Sequence, residues 1–339
     1  MATFTALLVG AGAMGQAWAK NLHDHPDVVI GGWVDLRSGA AAQAAQVLAL
    51  PPLHADTDLA AALVAVRPDF VVDVTIPEAH HDVTLMALAV GVPVLGEKPM
   101  AASMAQARAM VAAAERANRL YMVSQSRRYD GGLQAFRGLI EREVGPLGIL
   151  NSDFYIGAHF GGFRDDMASP LVLDMAIHTF DAARYLSGAD PVAVYCEEFN
   201  PAWSWYGGAA CATAIFEMSG GLRYTYRGSW CAEGMATSWE GDWRAVGPQG
   251  TALWDGHAAP RAEVVSERGS FRSTVVPAHT TVKQIDQGIA GSLRDFLHAL
   301  ETGATPMGEC HDNIKSLAMV FGAIESARSG QRVALGELM

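Results

Sequence analysis

The chain has 339 residues, half of them hydrophobic and 18% charged, which excludes a disordered protein and suits two compact domains better than one. A formal net charge of −12 argues against nucleic acid and anionic membranes, since both attract basic surfaces, and leaves a small soluble substrate as the partner to expect. The four cysteines, Cys196, Cys211, Cys231 and Cys310, lack Cys-x-x-Cys spacing, so no metal site and no disulfide framework is expected, and a reducing cytoplasm is the expected location.

The apolar opening at residues 3–9 has no basic lead and runs into glycines, so it reads as a first strand and not as a secretory signal. No apolar run is long enough to span a bilayer. Gly10-Ala11-Gly12-Ala13-Met14-Gly15 follows the strand and precedes an alanine-rich helix at 16–23, which sets G-x-G-x-x-G in a strand-turn-helix context. Gly10 permits the tight turn, Gly12 lets a pyrophosphate approach the backbone, and Gly15 lets helix and strand pack closely. With Ala13 and Met14, these residues are candidates to hold the phosphates of a dinucleotide at the helix N-terminus. A second strand at 28–34 ends in Asp35, placed to accept hydrogen bonds from the ribose hydroxyls of NAD and to repel a 2′-phosphate. Arg37, two residues on, could greet that phosphate instead, so NAD is the expected cofactor with NADP as the alternative.

Helices at 40–48 and 59–66, a strand at 70–74, a helix at 78–90, a strand at 92–95, a helix at 104–118 and a closing strand at 120–123 continue the alternation. Such alternation means βαβ units and a doubly wound parallel sheet. Ligands gather outside the carboxyl ends of its strands, which places Thr75, Pro77, His80, Glu97 and Lys98 among the cofactor-side candidates. Beyond residue 123 the texture changes to short strands at 148–156, 192–199, 209–216, 222–230, 244–246 and 251–254, a mostly antiparallel open sheet of α+β type. The expected domains are therefore a Rossmann domain at 1–123 and a substrate-binding, oligomer-forming domain at 124–339. One helix stands out among these strands, at 171–186, and in it Asp174 and His178 are spaced to share a face. A surface pair and a buried, hydrogen-bonded histidine are compatible with that spacing, as is a two-ligand metal helix, though no third ligand is convincingly placed for one.

Taken together, Gly10 to Gly15, Pro77 with His80, Glu97-Lys98-Pro99, Arg127-Arg128-Tyr129, and Asp174-Met175-Ala176-Ile177-His178 with Asp181 beyond resemble the glucose-fructose oxidoreductase / inositol dehydrogenase / rhizopine catabolism (Gfo/Idh/MocA) family over nearly the whole chain. The resemblance implies a Rossmann domain followed by an open antiparallel sheet whose outer face serves oligomer formation. It also implies that Lys98 is the catalytic lysine, His178 the general acid/base, and Asp174 the neighbour that orients substrate or histidine. Arg127, Tyr129, His159 and Arg164 are further substrate-side candidates. Two departures stand out: Met167-Ala168-Ser169-Pro170 replaces a glycine-rich lead-in, and Ala176 replaces a glycine between Asp174 and His178.

The function these expectations compose is hydride transfer between NAD(P) and a secondary alcohol of a sugar, sugar derivative or cyclic polyol, in a homodimer or homotetramer formed through the second-domain sheet. A glycosidase using tightly held NAD and a cofactor-binding regulator are the alternatives. The tryptophans of the second half suit sugar stacking, core packing and subunit contact equally.

Overall fold

The structure is a computed structural model describing residues 4–284 and 287–339; Thr3, expected to open the first strand, lies outside the described residues. Two compact units divide the chain, Met1–Ser126 with Gly288–Ile314, and Arg127–Gln287 with Lys315–Met339. The chain passes from the first unit to the second between Ser126 and Arg127, and residues 288–314 return to the first.

In the first unit, β1 (Phe4–Val9), β2 (Val28–Val34), β3 (His54–Asp56), β4 (Phe70–Asp73), β5 (Val94–Glu97) and β6 (Tyr121–Ser124) form one parallel sheet in the order β3-β2-β1-β4-β5-β6. Parallel neighbours need crossovers, and α1 (Ala13–Asp24), α2 (Ala40–Val47), α3 (Leu59–Val66), α4 (Pro77–Ala89) and α5 (Met104–Ala117) supply them. Leu7, Leu8, Val71, Val72 and Leu95 are fully buried, as strands covered on both faces require. The strand order reverses between β1 and β4, so the carboxyl ends of these two strands frame a crevice of the kind that binds nucleotides in open α/β sheets. At the other side, the Val123 amide donates to the Gly308 carbonyl at 2.8 Å, which fastens the returning segment to β6.

In the second unit, Asp130 caps α6 (Gly131–Leu139) by accepting from the Leu133 amide at 2.8 Å. Then follow β7 (Ile149–Tyr155), a π-helical stretch at Leu171–Ala176, α7 (Ile177–Ser187), β8 (Pro191–Phe199), β9 (Cys211–Met218), β10 (Arg223–Ser229), β11 (Asp242–Gly247), β12 (Gly250–Trp254), β13 (Arg261–Glu267) and β14 (Thr274–His279). After α8 (Gly288–Thr302) and α9 (Cys310–Ser329), β15 (Val333–Ala334) completes a nine-stranded sheet ordered β14-β13-β12-β11-β7-β10-β9-β8-β15. Every neighbouring pair is antiparallel except β7 and β10. That pair is parallel because α7 crosses the sheet to deliver the chain to β8, from which β9 and β10 fold back toward β7.

The helix expected at 171–186 is thus wound in two ways, π for its first six residues and α beyond. Apolar periodicity over so short a stretch does not separate an i→i+5 turn from an i→i+4 turn. α7 is anchored by Phe180, whose ring meets Phe216 at 4.8 Å and Tyr226 at 5.2 Å between centroids. His178 stands two residues before that anchor, so packing of one face of α7 fixes where the histidine is presented. The opposite face of the sheet exposes Val192, Tyr195, Phe199 and Ile215. Among the described residues, no helix is long and apolar enough to cross a membrane.

Candidate functional site

The nucleotide side is built by backbone geometry. Gly10 has φ +101°, and a Cβ there would sit 2.6 Å from the Val74 carbonyl oxygen, so only glycine lets β1 turn beside the end of β4. A Cβ at Gly15 would overlap the Gly10 carbonyl oxygen, which is already taken by the Trp33 Nε1 at 2.9 Å. Gly12 differs in having open space where a Cβ would be, and it starts α1 without any side-chain cap. Gly12, Ala13 and Met14 are exposed, so the first amides of a twelve-residue helix that starts without a side-chain cap face an open surface. These features fit a dinucleotide pyrophosphate.

Asp35 lies at the end of β2, where its Oδ2 accepts from the Ala11 amide at 2.7 Å. Its other oxygen accepts from the backbone amide and Nε of Arg37, both at 2.9 Å, and Arg37 Nη2 donates to Oδ2 at 3.0 Å. The Arg37 guanidinium therefore holds the Asp35 carboxyl down to about 2, helped by the Arg37 and Ala11 amides and opposed by partial burial. In this arrangement Arg37 is engaged with the carboxylate, a contact that the two-residue spacing alone did not announce.

Past β4 and β5, the chain gathers Thr75, Pro77, His80, Glu97 and Lys98. Pro77 is the first residue of α4, where a missing amide costs nothing. Thr75 turns both its amide and its hydroxyl to Asp73 Oδ1, at 3.1 and 2.6 Å. His80 is 2% exposed, with Nδ1 2.9 Å from the Pro99 carbonyl oxygen and Nε2 3.1 Å from that of Thr75. A candidate on the cofactor side at one remove, it ties the two loops together internally. Glu97 accepts from Trp18 Nε1 at 2.7 Å and from the Lys98 amide at 3.1 Å; burial raises its carboxyl above the ordinary range, and Trp18 and Lys98 work against that rise. Lys98 is half-buried, and its bond to Pro99 is cis. Trp18 and Asp73 went unnoticed in the sequence: one reads as core in an alanine-rich helix, the other as a strand end.

In the second unit, Asp174 lies in the π stretch and His178 in the first turn of α7, both half-buried. Arg164 Nε donates to Asp174 Oδ2 at 2.7 Å, and its guanidinium stands over the rings of Phe163 and Phe160, at 4.8 and 5.0 Å. Arg127 reaches the same helix from another side, with Nη2 3.5 Å from Met175 Sδ and Nε 3.5 Å from Glu240. Tyr129 is 2% exposed and belongs to the interior, which leaves it little surface for a substrate. His159 is exposed, stacked on Trp205 at 3.7 Å and 2.7 Å from Glu233, in a contact set that does not include Asp174. Arg164 and Arg127 are therefore drawn to the Asp174 helix, whereas Tyr129 and His159 are used elsewhere. One further cluster, at the start of α9, sets His311 2.7 Å from Glu309 and 2.9 Å from Glu115, with Cys310 Sγ 3.0 Å from Glu309. Ion pairing within the first unit accounts for it.

Two family profiles match, "Oxidoreductase family, NAD-binding Rossmann fold" over residues 4–125 and "GFO/IDH/MocA C-terminal domain" over residues 143–272. Among curated relatives, the D-apiose dehydrogenase of Paraburkholderia graminis is 27% identical, with 99% of this chain and 90% of the relative aligned. The inositol 2-dehydrogenase of Rhizobium meliloti is 24% identical over 97% of this chain and 98% of the relative. Among solved structures, an oxidoreductase from Agrobacterium radiobacter in complex with NAD+, L-tartaric acid and magnesium shares the fold at TM-score 0.85 and 23% identity, over 99% of each chain. With both of its units matched in order, the chain belongs to the Gfo/Idh/MocA family of NAD-binding oxidoreductases and is a dehydrogenase acting on CH–OH groups.

Proposed function

We propose that this dehydrogenase interconverts a secondary alcohol and a ketone on a sugar, sugar derivative or cyclic polyol. The observation that supports this most is the place of Lys98, one residue past the carboxyl end of β5 in an open parallel sheet, where ligands collect. Relatives named for apiose and inositol support the substrate class. NAD, when bound, supplies the hydride acceptor or donor. His178 takes the hydroxyl proton in the oxidative direction and returns it in the reductive one. Lys98 donates a hydrogen bond to the same oxygen and stabilises its developing negative charge, while Asp174, paired to Arg164, orients the substrate or the histidine. A panel of sugars and inositols followed by NADH absorbance tests the proposal, and oxidation of none of them by folded, NAD-binding protein would overturn it.

Preference for NAD over NADP belongs to the same proposal. Asp35 is an ionised carboxylate at the ribose end of the site, and a 2′-phosphate would meet its charge. Asp35→Ser should narrow the ratio of NADPH to NADH dissociation constants in a direct titration. Wild-type protein that binds NADPH more tightly would mean that Arg37 sets the preference.

A homo-oligomer joined through the second-unit sheet completes the reading, because Val192, Tyr195, Phe199 and Ile215 leave an apolar sheet face exposed. Light scattering at micromolar concentration should return a dimer or tetramer mass; a monomer would refute this part.

A further inference from the structure

We propose that His80 is a positioning residue that carries two ring protons and, by donating from both nitrogens, clasps the loop after β4 to the loop after β5 and so holds Lys98. The inference rests on the role given to Lys98 above. Its basis is the pair of contacts from Nδ1 to the Pro99 carbonyl at 2.9 Å and from Nε2 to the Thr75 carbonyl at 3.1 Å, in a side chain that is 2% exposed. A carbonyl oxygen only accepts, and a neutral imidazole offers one N–H and one lone pair. Either neutral tautomer would therefore set a lone pair against a lone pair at direct contact distance. The imidazolium donates to both, and charge-assisted hydrogen bonds of this kind are the stronger class.

The surroundings supply the counter-charge. Asp73, fully buried at the end of β4, and Glu97, 8% exposed at the end of β5, are both within electrostatic reach of the ring. Burial raises both carboxyls, and the neighbouring histidine pulls both back down. On the same loop as Pro99, Lys98 is a second cation beside Glu97. From β6, the Tyr121 hydroxyl is kept neutral, raised well above its ordinary range by burial and by Asp73. A charged ring thus offsets part of the burial cost of two carboxyls, whereas a neutral one would leave them without that compensation.

The clasp bears on catalysis because it grips the chain one residue from Lys98 on one side and at Thr75 on the other. Loss of either grip lets the lysine loop drift, and displacement by about 1 Å costs up to about 10²-fold in rate. His80→Gln should fold and bind NADH within about threefold of wild type but lower kcat by about ten- to a hundredfold, with substrate KM little changed. A folded variant with unaltered kcat would overturn the positioning role.

The ring itself is read by long-range ¹H–¹⁵N correlation on full-length, ¹⁵N-labelled wild-type protein at pH 7. His80 is assigned by the signals that His80→Gln loses; should that variant not fold, His80→Asn serves the same purpose. Two nitrogens that both show the protonated signature are expected, and one unprotonated nitrogen would overturn the proposal. The spectrum needs no turnover, so the two readings fail separately. Absence of any sugar or polyol activity sinks the role of Lys98 and leaves the ring's state decided, whereas a neutral ring in an active dehydrogenase sinks the clasp alone.

Discussion

Replacement of His178 by Ala should lower turnover of an identified substrate by about 10²- to 10⁴-fold, the usual contribution of a general acid/base. NADH affinity should stay as it is, because the glycine turn proposed to hold the phosphates belongs to a different unit of the chain. Lys98→Met should impair turnover comparably, since a neutral side chain of similar length cannot stabilise a developing alkoxide. Initial rates by NADH absorbance, together with NADH titration, measure both effects. The double variant then discriminates: a loss far beyond either single variant means independent action, and near-equality of all three means one coupled unit. Full activity in His178→Ala with cofactor binding intact would sink the proposed mechanism.

Asp181→Ala should lose about 3–5 kcal/mol of stability, the cost of removing one member of a buried ion pair. Asp181 is 1% exposed and accepts from Arg128 through Nε at 2.8 Å and Nη2 at 2.7 Å. Ser316 adds a third donor at 2.6 Å and itself accepts from Arg184 Nη1 at 2.9 Å. The variant leaves the Arg128 guanidinium, 6% exposed, inside the second unit without the Asp181 carboxylate. At roughly 2–4 °C per kcal/mol for a unit of this size, thermal unfolding followed by circular dichroism should shift down by roughly 6–20 °C. A shift of under about 2 °C would show that water or a rearranged side chain replaces the carboxylate. Asp181 lies one turn beyond His178 on α7, so a destabilised variant with lowered kcat would also report how firmly the helix presents its histidine.

The Rossmann half was legible because each of its cues is local. β2 at Val28–Val34 and α3 at Leu59–Val66 match their expected bounds, and the glycine turn follows β1 directly. β3 escaped notice because His54-Ala55-Asp56 has neither length nor apolar alternation; its pairing to β2 makes it a strand. α6 was hidden by Gly131-Gly132, poor helix formers that Asp130 starts off with its cap. β13 and β14 are almost entirely exposed or half-buried, so they carry no apolar pattern to read. In the site, the shared spacing of Asp174 and His178 was visible, but the Arg164 partner of Asp174 was not, because it comes from a 3₁₀ turn too short to show periodicity; one turn on, Ser316 meets Asp181 from 135 residues away. The two carbonyls that hold His80 are main-chain atoms, which no side-chain pattern encodes.

The first unit is assembled from two stretches separated by more than half of the second unit's sequence, Met1–Ser126 and Gly288–Ile314, and Phe70 of β4 packs its ring against Phe296 of α8 at 5.3 Å between centroids. On the ribosome, β1 to β6 emerge early, yet the helix that covers Phe70 and the segment that fastens to β6 arrive only after the whole nine-stranded sheet apart from β15 has been synthesised. Domains that are continuous in sequence close in the order they are made. Here the nucleotide-binding unit waits, with part of its apolar surface bare, and a nascent chain cut short before α8 would present that surface to chaperones and proteases even though every residue of its glycine turn is already in place.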